Sequence, residues 1–167
     1  MTNLTLLAQQ IENSAIGVAI AESRFAYPII EGVHLIGLAI SIGLLFVIDL
    51  RLIGIFLKRA PLERLLRSLR PWVLGGFVAT FLSGVLLFWS SAERMLESPA
   101  FAFKLLFLTL AGINAIVFEF ITVPRHAETL RTGALPASFR YAGFASLTLW
   151  TLTIAFGRLI PYLPQWA

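Results

Sequence analysis

Four long apolar stretches alternate with short polar ones along the chain. They cover residues 28–52, 71–89, 99–123 and 141–160. A helix needs about 20 apolar residues, at about 1.5 Å each, to cross a bilayer's hydrocarbon core. All four stretches approach or exceed that length. Pro28, Pro71 and Pro99 stand at the start of the first three, where a missing N–H costs a helix nothing. Pro124 and Pro161 follow the third and fourth, where a helix is expected to stop. The pattern predicts an all-α fold, a transmembrane four-helix bundle over residues 27–167.

Residues 1–26 carry a different pattern. Leu4, Leu7, Ile11, Ala15 and Val18 recur at helical spacing, with Gln9, Gln10, Glu12 and Asn13 between them. This predicts an amphipathic interfacial helix lying on the outer leaflet. Ala19-Ile20-Ala21 looks like a signal-peptide cleavage site, but no basic n-region or unbroken apolar core precedes it. The stretch 57–69 is basic and amphipathic through Leu62, Leu65, Leu66 and Leu69, and predicts a second surface helix against anionic lipid on the inner side.

Charge orients the spans. Arg51, Lys58, Arg59, Arg64, Arg67 and Arg70 lie between the first and second, and Arg125, Arg131 and Arg140 between the third and fourth. That places nine of the 13 Lys and Arg on one side, the side expected in the cytoplasm. Both termini and the loop 90–98 then fall outside, an N-out/C-out topology. Trp72, Trp89, Trp166, Tyr27 and Tyr162 fall near the interfaces, as an aromatic belt requires.

Composition agrees with a lipid environment and removes several chemistries. Of the 167 residues, 58% are hydrophobic and 13% charged, against about 25% charged in an average soluble domain. Mean hydropathy is +0.85. The net charge of +4 does not indicate nucleic acid, because the basic residues cluster at helix ends. No cysteine is present, so a disulfide framework, a thiolate nucleophile and Cys-based metal ligation are excluded. Met1 and Met95 are too few for a Cu(I) path. Hydrolase and phosphate-loop signatures are missing.

Ionisable residues inside a span cost free energy and therefore turn toward the bundle interior and a partner. Two layers emerge from the rise per residue. The outer one holds Glu31 and His34, three apart and on one face, with Lys104 and Arg158 at similar depth and Ser83 below. The inner one holds Asp49, Arg51 and Glu119, with Arg70 and Arg140 beside them and Asn114 nearer mid-membrane. Its plain reading is structural, acids held by neighbouring arginines. Asp49 precedes Arg70 by the same interval as Glu119 precedes Arg140, a hint of duplicated hairpins that coincidence also explains. Small-residue stripes, His34/Gly37/Ser41, Gly76/Thr80/Gly84, Ala111/Ala115 and Ser146/Thr153/Gly157, let helices approach closely or leave room for a flat cofactor.

The outer layer is the candidate site: His34, Glu31, Lys104 and Arg158, with His34 as the metal-ligating residue. Haem b is one occupant, with His34 on the iron and Lys104 and Arg158 on the propionates. The other histidine, His126, is expected ~25 Å or more from His34 along the helix axes, so both cannot ligate one iron in a monomer. It is expected to be solvated. Glu31-x-x-His34 has di-iron spacing but occurs once, where two copies are needed. A quinone head group between His34 and Lys104 is another occupant. A proton or solute path through Glu31, His34, Lys104, Asn114, Glu119 and Asp49 is a different class of function. So is a non-catalytic accessory subunit of a homo-oligomer or larger membrane complex. The bland alternative is a Glu31–Lys104 ion pair with His34 hydrogen-bonded beside it.

The run Tyr27-Pro28-Ile29-Ile30-Glu31-Gly32-Val33-His34-Leu35-Ile36-Gly37 continues to Asp49-Leu50-Arg51-Leu52-Ile53-Gly54. Further on stand Phe101-Ala102-Phe103-Lys104 and Ala111-Gly112-Ile113-Asn114-Ala115. Together these resemble a family of small uncharacterised bacterial four-helix inner-membrane proteins. The resemblance covers most of the chain and implies a multi-pass protein of the bacterial cytoplasmic membrane, with no activity to carry over. At greater distance the chain is similar to the copper-resistance D and cytochrome b561 type, whose b haems are held by pairs of histidines.

Overall fold

The computed structural model describes residues 3–126 and 135–163, all regular structure among them being helical. Arg131, Trp166 and the side chain of Leu4 lie outside the described residues. Two short helices, α1 (Asn3–Glu12) and α2 (Ala15–Glu22), precede α3 (Ala26–Ile53) and α4 (Leu62–Trp89). A short α5 (Ala92–Glu97) leads into α6 (Pro99–Val117), a π-helical turn (Phe118–Thr122) and α7 (Val123–Arg125); α8 (Ala137–Leu159) follows. Four helical segments are long and apolar enough to cross a membrane: α3, α4, the continuous stretch Pro99–Arg125, and α8. The chain is a multi-pass membrane protein on that evidence. Large apolar side chains point outward from them, Phe81 at 69% exposure and Phe120 at 73%, as lipid-facing surface requires.

Prolines and glycines set the ends. Pro99 occupies the first turn of α6. Gly54 closes α3 with φ 85°, its N–H donating to the Arg51 carbonyl at 3.1 Å while Ile55 N–H reaches Leu50 at 3.0 Å. Pro71 departs from expectation, because α4 already begins at Leu62 and runs through it. The basic stretch 57–69 is therefore no separate surface helix from Leu62 onward but the first part of α4. Pro124 does not stop the third span at once. Its ring would clash with the carbonyl four residues earlier, and the chain widens into the π-turn just before it.

The N-terminal segment divides in two at Asn13–Ser14, where one amphipathic helix was expected. The Ser14 hydroxyl caps α2 by accepting from Gly17 N–H at 3.3 Å, and accepts from Trp89 Nε1 at 3.0 Å. Gln9 donates to Glu93 at 2.7 Å, and Glu12 accepts from the Glu93 N–H at 3.1 Å. Part of the polar edge of α1 is thus used against α5. Together α1, α2 and α5 cover one end of the bundle, the capped end; the basic connections form the other.

The four long helices do not pack equally. α3 lies against α4 along its length, α6 against α8, and α3 against α8. α4 reaches α8 and the π-turn mainly through long side chains, such as Phe77 on Trp150 with ring centroids 4.9 Å apart. Between helices in lipid, close packing rather than the hydrophobic effect drives association. The α3–α4 contact illustrates the point. A Cβ on Gly37 would stand 3.0 Å from the Gly76 carbonyl oxygen, and one on Gly76 2.8 Å from the Gly37 carbonyl oxygen. Toward the basic end a larger apolar cluster forms around Phe139, Leu52, Leu62 and Leu66.

Candidate functional site

His34 lies near the capped end of α3, turned onto α4. Its Nδ1 is 2.9 Å from the Thr80 carbonyl oxygen and 3.2 Å from Ser83 Oγ. Ser83 spends its proton on the Ala79 carbonyl at 2.6 Å, so both neighbours of Nδ1 act as acceptors. A carbonyl can only accept, so Nδ1 carries the hydrogen. In the neutral ring Nε2 then keeps a lone pair for a metal, a hydroxyl or a proton. Gly84 makes the space: a Cβ there would stand 3.1 Å from His34 Cε1.

Lys104 enters from α6 and lies over Gly157 of α8. A Cβ on Gly157 would meet Lys104 Cδ at 3.5 Å, Cε at 3.6 Å and Nζ at 3.9 Å. Lys104 and Glu31 are both close enough to His34 to act on it electrostatically. Elements α3, α4, α6 and α8 therefore contribute to one polar layer. The Glu31–Lys104 ion pair of the bland reading is not formed among the described residues. Glu31 is exposed while the Lys104 stem follows Gly157 into the bundle. Arg158 is exposed and about 100° around α8 from Gly157, so it does not share that residue's contact with Lys104.

The second layer is more divided than expected. Arg70 Nη2 bonds the Glu119 carboxylate at 2.8 Å, joining α4 to the π-turn. Asp49 is 2% exposed, meets the Ser146 hydroxyl of α8, and leaves Oδ2 without a hydrogen bond among the described residues. Acids held by arginines thus describes Glu119 and not Asp49. Asn114 Nδ2 donates to the Ala142 carbonyl at 3.2 Å, tying α6 to α8. Arg51 is buried, with Nε on the Ala60 carbonyl at 3.0 Å, and Arg140 is exposed.

His126 is not simply solvated. Its Nδ1 is 3.0 Å from the Thr122 carbonyl and its ring meets Phe139 edge-on, centroids 5.7 Å apart. It sits at the basic end, one bundle length from His34, so a two-histidine haem site does not fit these residues. Among the described residues no group of three or more His, Cys, Asp or Glu is gathered for a metal ion. Sequence reasoning missed the Thr80 carbonyl as the anchor of His34 and Ser146 as the partner of Asp49. The signal for the glycines was present: Gly84 and Gly157 each stand at the depth of a polar side chain on a neighbouring helix.

This arrangement, an anchored imidazole beside a lysine inside a four-span protein, can be set against known families. Residues 15–163 match the model of a family of unknown function, DUF6644. The chain belongs to that family. The match takes in all four long helices and every residue of both polar layers, so the DUF6644 unit is essentially this bundle. Nothing in it links the chain to the copper-resistance D or cytochrome b561 type. No curated protein and no solved structure matches the chain.

Proposed function

We propose that this DUF6644 protein is a small cofactor-binding redox protein of the bacterial cytoplasmic membrane, centred on His34. The observation that carries the reading is the tether of Nδ1 to the Thr80 carbonyl, which aims a fixed, acceptor-bearing Nε2 in the layer that also holds Lys104. A ligating histidine commonly donates its other ring N–H to a carbonyl in this way. Nε2 takes a metal or a quinol hydroxyl, and Lys104 complements an acidic or carbonyl oxygen of the same cofactor. Glu31 tunes the charge of the layer. The basic end lies in the cytosol in this reading, and α1 and α2 rest on the outer leaflet.

The test is purification in mild detergent, followed by an absorption spectrum, metal analysis and quinone extraction. A cofactor present in wild type and lost in His34→Ala, at unchanged fold, supports the reading. A colourless, metal-free and quinone-free wild type rejects it.

A second reading, passage of protons or a small solute, draws on Asp49, a buried carboxyl in a span with an oxygen left unbonded. Proteoliposome flux that falls on Asp49→Asn supports it; flux indifferent to Asp49, Glu31 and Glu119 neutralisation rejects it.

A further inference from the structure

At the basic end, far from His34, a cavity of about 400 Å³ opens between the end of α3, the connection to α4 and the start of α8. Three cations line it, one from each element: Arg51 of α3, Lys58 of the connection and Arg140 of α8. No acid lines it among the described residues. Arg51 decides the chemistry. It is 5% exposed, and its only hydrogen bond among the described residues is the one from Nε to the Ala60 carbonyl at 3.0 Å. Its two terminal nitrogens therefore have no acceptor there. A buried guanidinium without a counter-charge is costly. The nearest acid along α3, Asp49, meets Ser146 instead, and Glu119 at the same end is taken by Arg70.

We propose that this cavity binds a phosphate group, supplied by the head group of an anionic phospholipid. Phosphate matches the fork of a guanidinium, and a second arginine with a lysine completes the charge. The start of α8 adds to the same field, since its N-cap, Pro136, offers no side-chain acceptor to the first N–H groups. Leu52, Ile53 and Leu135 line the rest of the cavity and suit the glycerol and first methylenes of a lipid better than a free ion. Basic pockets at membrane-helix ends recognise such head groups.

The test uses full-length protein in nanodiscs and in detergent, with native mass spectrometry and thermal melting. Wild type should retain phosphatidylglycerol or cardiolipin in preference to phosphatidylcholine, and anionic lipid should raise its melting temperature. Lys58→Gln and Arg140→Gln, both at exposed positions, should each weaken anionic-lipid binding roughly five-fold, and together about 25-fold. Arg51→Gln should abolish it. Arg64→Gln, an exposed cation on α4 outside the cavity, is the charge control and should change binding less than two-fold, roughly. Inorganic phosphate that binds as tightly as the lipid, and competes with it, would overturn the lipid as source. Equal loss in Arg64→Gln and Arg140→Gln, or no preference for anionic lipid in wild type, would overturn the cavity as a site.

Discussion

Glu119 is paired with Arg70, 2.8 Å away on a different hairpin, and not with Arg140, the arginine at the repeated interval after it. Asp49 likewise fails to meet the arginine at the same spacing and turns to Ser146. The repeat-like spacing of the two acids therefore does not produce repeat-like pairing. The π-turn contributes, because widening one turn shifts the direction of every side chain on it, Glu119 included.

The Arg70–Glu119 pair should couple weakly. Both side chains are 39% exposed, so screening leaves roughly 0–1 kcal/mol. Arg70→Gln and Glu119→Gln should each lower thermal stability slightly, and the double variant no more than either alone. Additive losses in a double-mutant cycle would show that the two side chains act separately.

The glycines should divide sharply by position. Gly76→Ala puts a Cβ 2.8 Å from backbone atoms of Gly37 and Ser41, which cannot move aside. It should cost about 1–3 kcal/mol or more through overpacking of α3 on α4. Gly43→Ala and Gly75→Ala meet nothing within 4 Å and should be neutral or slightly stabilising. Melting in detergent distinguishes the two classes, and a neutral Gly76→Ala would contradict the close helix contact.

Ser146 should matter because of Asp49. Ser146→Ala removes the hydroxyl that serves a carboxyl only 2% exposed, and should cost about 1–3 kcal/mol. In an Asp49→Leu background the same substitution should cost much less. Equal costs in both backgrounds would mean that Ser146 acts through packing alone.

Topology is open to a direct check because the chain has no cysteine. Single cysteines at exposed Glu22, on the capped end, and exposed Ser68, on the basic end, give two clean labels. A membrane-impermeant maleimide should modify the first in intact cells or spheroplasts and the second only after permeabilisation. The reverse pattern would invert the N-out/C-out orientation.

Four spans and the segregation of arginines at one end could be read directly from the chain, because hydrocarbon thickness converts apolar length into span number and charge density into loop position. Those quantities are sums along one dimension and survive errors in detail. The depth of each polar residue could be read for the same reason, and it places His34 and Lys104 in one layer. The chain also marked the small residues, though not which of them face which neighbour. What only the tertiary structure decided is rotation about the helix axes and the order of packing around them. Those set Nδ1 of His34 on the Thr80 carbonyl, laid Lys104 over Gly157, left Arg158 outside, and paired Glu119 with Arg70. Helix rotation follows from contacts of a few ångströms between glycine backbones on different spans, such as Gly37 and Gly76. An apolar sequence with several small residues on each helix permits more than one such fit.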